Sequence, residues 1–342
     1  MNKARVNIIG PFPPPFGGIS VHMQRIYSYL KNETVTFYNT SNLNFVEAKQ
    51  FSKIKLFLLF FKFRQLIHYH STSINIRLVL GFYALLNNKI YLHAHGASLT
   101  DQLKSKSWRS RLLKLVLPKV NIISSNSEIY DFIKSNYSPL TLHLFDAFIP
   151  PLYDDTLFNS VIKTIELPKS KYLISMTGWF SIYKDQDLYG YDIMLQTLQK
   201  LRAKNIDVSF VASVNGIAND ELYNSFIAER DKLNLSNNFH LIMDDLPELY
   251  PVILASDIFV RPTNTDGNAV SIKEALWFQV PVIASDIVPR PAKVITFKNR
   301  MVDDLTNKIE KQLLSTSKKD QKRTVQNQRF EHPIIKEIYG FK

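Results

Sequence analysis

The 342-residue chain contains no cysteine. That removes disulfides, thiolate metal ligands and cysteine nucleophiles from any account of its chemistry, and it suits a reducing compartment. Long hydrophobic runs are missing too. The longest near the start, Leu56–Phe61, is far short of the roughly 20 residues that a membrane span needs. Met1–Arg5 leads straight into a strand-like stretch with no secretory apolar region, so a cytoplasmic protein, soluble or peripheral on a membrane, is expected. Acidic residues are scarce in one half only. Residues 1–150 carry 18 Lys/Arg against 6 Asp/Glu, whereas residues 151–342 carry 24 of each, so the whole net charge of +12 sits in the first half. An anionic partner for that half is one implication, and a plain solvated basic surface is the other. No helix-turn-helix, zinc or RNA-recognition pattern occurs, which argues against nucleic acid.

What remains is ordinary globular composition, 45% apolar and 21% charged, enough for two domains of about 150 residues each. β-rich runs alternate with helical stretches. RVNIIG (5–10), VTFYNT (35–40), LIHYHS (66–71), KIYLHAHG (89–96) and VNIISSN (120–126) read as strands, with helices over 20–30, 74–86 and 101–117. After a poorly patterned region, 150–170, a second series follows: strands at 172–178, 208–214, 239–244, 257–261 and 280–285, with helices at 191–204, 220–233, 247–255 and 271–278. This is the pattern of two Rossmann-like, doubly wound parallel sheets facing one another. The expected division is 1–160, 161–325 and a C-terminal helical segment, 326–342.

Three segments carry chemistry. The first is the loop Gly10-Pro11-Phe12-Pro13-Pro14-Pro15-Phe16-Gly17-Gly18, between a strand and a helix. Gly17 and Gly18 would let backbone N–H groups approach a phosphate at the helix start; a plain turn fits equally. The second is His93-Ala94-His95-Gly96 at a strand end, where ligands bind in open parallel sheets. His93, like His68 and His70 on the preceding strand, reads as a hydrogen-bonded core histidine, and His95 is left open between core and cleft. No third ligand stands at helpful spacing, so no metal site is expected. The third runs from Asp257 to Leu276: strand, polar loop, helix. Asp266 falls in the loop and Glu274 about two turns into the helix. Between them, Gly267, Asn268, Ala269 and Val270 mark a helix start whose N–H groups suit a diphosphate. An acid beyond them can hold ribose hydroxyls. The bland alternative is a helix capped by Asp266, with Glu274 in solvent.

This third segment resembles the E-x7-E region of family-four glycosyltransferases of the GT-B fold, with Asp266 for the first Glu and Glu274 for the second. The Phe16-Gly17-Gly18 loop, His93-Ala94-His95-Gly96, Gly178 with Tyr189-Gly190-Tyr191-Asp192, Leu246–Asp257 and Pro281–Ser285 match other segments of the family in order. The resemblance implies a retaining, metal-independent transferase that moves a hexosyl unit from a UDP- or GDP-linked sugar to a saccharide, with no resident cofactor. It gives Glu274 the ribose, the 267–270 N–H groups the diphosphate, and Asp266 and His95 the donor sugar. It also implies two cations that this chain lacks, since Trp179 and Tyr189 stand where the family has Arg and Lys. Arg261, with Lys184 and Arg290 behind it, is the candidate substitute. An epimerase of the same fold and a degenerate, membrane-bound partner protein are the alternatives.

Two stretches, FSKIKLFLLFFKFRQL (51–66) and KSKSWRSRLLKLVLPK (104–119), set basic residues beside large apolar ones. They suit an anionic leaflet; core helices whose basic side chains reach out to water are the alternative. A lipid-carrier-linked saccharide at the inner face of the membrane, in surface polysaccharide or glycolipid synthesis, is the acceptor this suggests.

Overall fold

The computed structural model describes residues 5–14, 18–41, 48–60, 65–70, 72–86, 89–146, 148–267, 269–315 and 338–340. They form two compact units, which divide between Ile149 and Pro150.

In the first unit the strands are β1 (Val6–Gly10), β2 (Val35–Asn39), β3 (Lys49–Gln50), β4 (Leu66–Tyr69), β5 (Lys89–Ala94), β6 (Asn121–Ser124) and β7 (Thr141–Leu144). They make one parallel sheet of order β3-β2-β1-β4-β5-β6-β7. Helices α1 (Gly18–Leu30), α2 (Lys53–Phe60), α3 (Ile74–Ala84), α4 (Ser98–Lys104), α5 (Trp108–Val116) and α6 (Ser127–Asn136) lie between them. Burial on both faces explains why β1, β4 and β6 are buried at every position. The single helix expected over 101–117 is two. Ser107 leaves helical geometry and accepts a hydrogen bond from the Ser110 N–H at 3.2 Å, which starts α5 afresh. Ile338 and Tyr339, far along the chain, pack in this unit's core beside Val6, Ile8 and Tyr91.

The second unit has β8 (Tyr172–Phe180), the short antiparallel pair β9 (Ile182–Tyr183) and β10 (Gln186–Asp187), β11 (Val208–Ile217), β12 (Phe239–Ile242), β13 (Ile258–Arg261), β14 (Val282–Ser285) and β15 (Ile295–Phe297). Its parallel sheet runs β12-β11-β8-β13-β14-β15. The helices are α7 (Asp155–Ile165), α8 (Tyr191–Ala203), α9 (Asp220–Lys232), α10 (Tyr250–Ala255), α11 (Val270–Trp277) and α12 (Val302–Ser315). The stretch 150–170 is not patternless. Asp154 caps α7 by accepting from the Leu157 N–H, and Leu157 and Phe158 pack against the Tyr250 and Phe259 cluster. That packing carries the chain into the second unit at 150, ahead of the expected break at 160.

Strand order reverses between β1 and β4 in one sheet and between β8 and β13 in the other. The carboxyl ends of those pairs are where doubly wound sheets hold ligands.

Candidate functional site

In the second unit, Arg261 ends β13 and reaches across the reversal point, donating from Nη1 to the Thr177 carbonyl of β8 at 3.2 Å. Its other nitrogens hold Asp266: Nε to Oδ2 at 3.3 Å and Nη2 to Oδ1 at 3.2 Å. Arg290 donates to the same carboxylate, Nη1 to Oδ2 at 2.7 Å, and is anchored to Ser285 at the end of β14 through the carbonyl (2.9 Å) and Oγ (3.2 Å). All three side chains are largely buried, with 13%, 5% and 3% exposure for Arg261, Asp266 and Arg290. Burial alone would raise the Asp266 carboxyl. The two guanidinium groups outweigh it and hold the group below the ordinary carboxylate value. Two arginines around one carboxylate leave a net charge of about +1 at the carboxyl ends of the strands.

Tyr189 supports this group. Its ring lies 5.1 Å from the Arg261 guanidinium carbon, a cation–π contact. It comes that close because position 178 is glycine; a Cβ there would sit 2.4 Å from the ring. Trp179 packs over Gly216 in the same way, where a Cβ would meet its ring at 2.3 Å. The aromatics at 179 and 189 are therefore built into the local backbone, and Tyr189 carries a cation on its face.

Past this group the loop turns into α11. The alternative of a helix capped by Asp266 does not hold. Asp266 is taken by the arginines, and among the described residues α11 has no side-chain cap. Ala269 precedes the helix, Val270 opens it, and open space surrounds the Cβ direction of Gly267. The first-turn N–H groups and the helix dipole thus face an anion-receptive position. Glu274 is not in solvent: it is 2% exposed, on the inner side of α11. Lys184 lies in an exposed turn between β9 and β10, its ammonium 5.4 Å from the Tyr183 ring, and that turn meets the loop through Asn264 Nδ2, which donates to the Tyr183 carbonyl at 3.4 Å. No hydrogen bond joins Lys184 to Asp266 among the described residues. Gly17 and Asn268 lie outside the described residues; Gly18 begins α1 with open space around its Cβ direction.

In the first unit the reversal point holds a group that the spacing argument missed. His70 follows β4, His93 lies in β5, His95 follows it, and His22 comes from α1. His70 Nδ1 and His95 Nε2 are 3.0 Å apart. His93 Nδ1 meets His68 Nε2 at 3.2 Å, and His68 Nδ1 meets the Tyr339 hydroxyl at 2.5 Å. One ring nitrogen from each of His22, His70, His93 and His95 lies within 4.8 Å of every other. Burial, then the Arg77 charge, lowers His95 to about 3, and burial with the neighbouring imidazoles holds His70 well below its ordinary value. Both rings are neutral at physiological pH. The missed signal was the repeated His-x-His on adjacent strands, 68/70 and 93/95, whose alternation puts all four side chains on one face.

Residues 163–329 match the family model for glycosyl transferases group 1. No curated protein sequence matches the chain. Among solved structures, the fold is similar to HepE of Anabaena in complex with UDP-glucose, at 11% identity and a TM-score of 0.63, covering 93% of this chain and 91% of that one. It is similar to a glycosyltransferase of Rickettsia africae at 13% identity and a TM-score of 0.65, covering 94% and 91%. It is also similar to an α,α-trehalose-phosphate synthase of Burkholderia xenovorans in complex with glucose-6-phosphate, at 11% identity and a TM-score of 0.62, covering 94% of each. Two parallel α/β units and these likenesses agree: the chain has the GT-B fold, and its second unit matches the model for glycosyl transferases group 1.

Proposed function

We propose that this protein is a retaining glycosyltransferase that moves a hexosyl unit from a UDP- or GDP-linked sugar to a saccharide acceptor. The acceptor is carried on a lipid at the inner face of the membrane, in surface polysaccharide or glycolipid synthesis. The observation that carries the reading is the Arg261–Asp266–Arg290 group beside the uncapped start of α11, with Glu274 buried one turn further on. A net positive group and a helix N-terminus together suit a diphosphate, and they stabilise the charge that develops as it departs. That supports transfer without a divalent ion at the donor and without a resident cofactor. HepE and the trehalose-phosphate synthase, which bind UDP-glucose and glucose-6-phosphate, lend the same reading its substrate class.

Glu274 is assigned the ribose hydroxyls, and the Gly267–Val270 N–H groups, Asn268 included, the diphosphate. Arg261 and Arg290 supply the charge that Trp179 and Tyr189 do not. Lys184, in the exposed turn whose Tyr183 carbonyl accepts from Asn264 Nδ2, remains a further candidate for that charge. Asp266 acts on the donor through the arginines that it orients. In the first unit His95 presents a neutral imidazole, suited to a hydrogen bond with a sugar hydroxyl.

The test is thermal stability of the purified chain with UDP, GDP, ADP and their sugars, with and without Mg2+. A ligand at 100 times its dissociation constant adds about 2.7 kcal/mol. One nucleotide should stabilise without metal, and Glu274→Ala should abolish the shift while the unliganded melt stays cooperative. No response at saturating nucleotide would overturn the reading in favour of a degenerate partner protein. Conversion of the donor sugar to its epimer in the absence of acceptor would favour the epimerase.

A further inference from the structure

The histidine group of the first unit is larger than hydrogen bonding requires. We propose that His22, His70, His93 and His95 form a binding site for a borderline divalent transition metal of the zinc class. This goes beyond the transfer reading and does not depend on it.

The four side chains come from three separate places in the fold: α1, the end of β4, and β5 with its end. The parallel pairing of β4 with β5 and the close seat of α1 bring them together. Gly10 makes that seat possible, because a Cβ there would meet Met23 at 2.7 Å and His70 at 2.9 Å. His22, His70 and His93 are all within 3% of full burial. The ligand nitrogens lie within 4.8 Å of one another. Zn–N bonds of about 2.0–2.1 Å in a tetrahedral site put ligand nitrogens roughly 3.4 Å apart. Small side-chain rotations close that difference.

The donor set selects the ion. Imidazole nitrogens suit Zn2+, Ni2+ and Cu2+, whereas Mg2+ and Ca2+ need oxygen ligands, and no carboxylate belongs to this group. An outer layer is in place as well. His68 engages His93 Nδ1, which directs His93 to ligate through Nε2, and the Tyr339 hydroxyl fixes His68 in turn. His70 Nε2 is buried and makes no hydrogen bond among the described residues, so a bound ion would supply the partner that a lone pair there lacks. His95 faces the group through Nε2, so ligation would leave its Nδ1–H for other work.

The experiment is equilibrium dialysis of the untagged, chelator-stripped chain against Zn2+, followed by visible absorption of the Co2+ form. The expected result is one ion per chain and the intense band of four-coordinate cobalt. His70→Ala and His22→Gln should each abolish both. His68→Gln should weaken binding by about 10- to 100-fold through the outer layer. His143→Ala, at a histidine on β7 outside the group, should change nothing. A folded wild-type chain that retains no ion, binding that survives both His70→Ala and His22→Gln, or a weak six-coordinate cobalt spectrum would each overturn the proposal. The nucleotide thermal shift reads the second unit, so its outcome is independent of this one.

Discussion

At the scale of single residues, the unusual feature is a carboxylate held by two buried arginines. Removing one partner of a buried ion pair costs about 3–5 kcal/mol, because the remaining charge stays desolvated. Asp266→Asn should therefore destabilise the second unit by about that amount. Added anions should restore part of the loss, since a phosphate or nucleoside diphosphate can take the place of the carboxylate between Arg261 and Arg290. Thermal melts of wild type and variant with and without phosphate check this; equal phosphate responses would count against an anion-receptive group. The sign of the pH effect follows from the lowered value of Asp266. Its contribution is fully present above the ordinary carboxylate value of 3.8 and is lost as pH falls through the lower folded value. Glycine 178 makes a second residue-scale prediction. Gly178→Ala forces Tyr189 to move, because the new Cβ would lie 2.4 Å from its ring. Overpacking of this kind costs about 1–3 kcal/mol. The variant should also weaken nucleotide binding without altering any charge, read as a loss of thermal shift at fixed nucleotide concentration.

At the scale of elements, Asp187 shows how a turn can store a pH dependence. It ends β10 and accepts from the N–H groups of Tyr189 (3.0 Å), Gly190 (3.0 Å) and Asp192 (3.1 Å), which sets the left-handed Gly190 (φ 74°) and the start of α8. Burial, then the Asp192 charge, raises its carboxyl from 3.8 to about 6 in spite of those hydrogen bonds. A raised acid works in the opposite direction to Asp266: its contribution is full below 3.8 and is lost as pH rises through about 6. The loss at neutral pH is about 3 kcal/mol on the scale of 1.36 kcal/mol per pKa unit. In Asp187→Asn the fall in unfolding free energy between pH 4 and 6 should be shallower than in wild type, measured by denaturant titration at each pH. Parallel profiles would assign the dependence elsewhere. Elements of this kind also mark what the sequence made legible. Five strands of each sheet were readable because β-rich runs recur at regular intervals, while the edge strands β3, β7 and β15 were too short or too exposed to show. The anion-receptive loop was readable because its glycine, polar residues and helix start are contiguous from 257 to 276. The helix α7 was not readable, since its burial comes from Tyr250 and Phe259, about ninety residues later. The pairing of Asp266 with Arg290 was hidden for the same reason on a shorter scale, because Arg290 returns from beyond β14. Tyr189 looked like a lost cation because a cation–π contact with Arg261 leaves no trace in residue type. The histidine group draws its four side chains from α1, β4 and β5, and the register of β4 on β5 together with the seat of α1 brings them together.

At the scale of the whole molecule, the excess charge sits in the first unit, which also sets exposed apolar side chains beside cations on α2 and α5. On α2, Ile54, Phe57 and Leu58 are more than half exposed; on α5, Trp108 and Leu115 are 61% and 74% exposed. Among the described residues no helix is long and apolar enough to cross a membrane. Residues 61–64 of the first basic stretch lie outside the described residues. On α5, Arg109 stacks on Trp108 at 4.8 Å, with Arg111 and Lys114 on the same helix. Large apolar groups left in water among cations are what an anionic leaflet takes up. Each Lys or Arg near such a surface is worth about 1 kcal/mol. Replacing Arg109, Arg111 and Lys114 by Gln should therefore weaken binding to anionic phospholipid vesicles by roughly 100-fold. Leu115→Glu should weaken it as well, while cooperative melting is kept because Arg109, Arg111 and Leu115 are exposed and Lys114 is only part-buried. Binding of wild type should fall as salt rises and be weak on neutral vesicles, since screening shortens the reach of surface charges. Co-sedimentation measures all four quantities. The second unit is electrically balanced, so charge-neutralising variants confined to its surface should leave co-sedimentation unchanged. If instead they reduce it as much as the α5 variants do, the membrane-facing role of the first unit falls, and its excess charge has to be explained as a solvated surface.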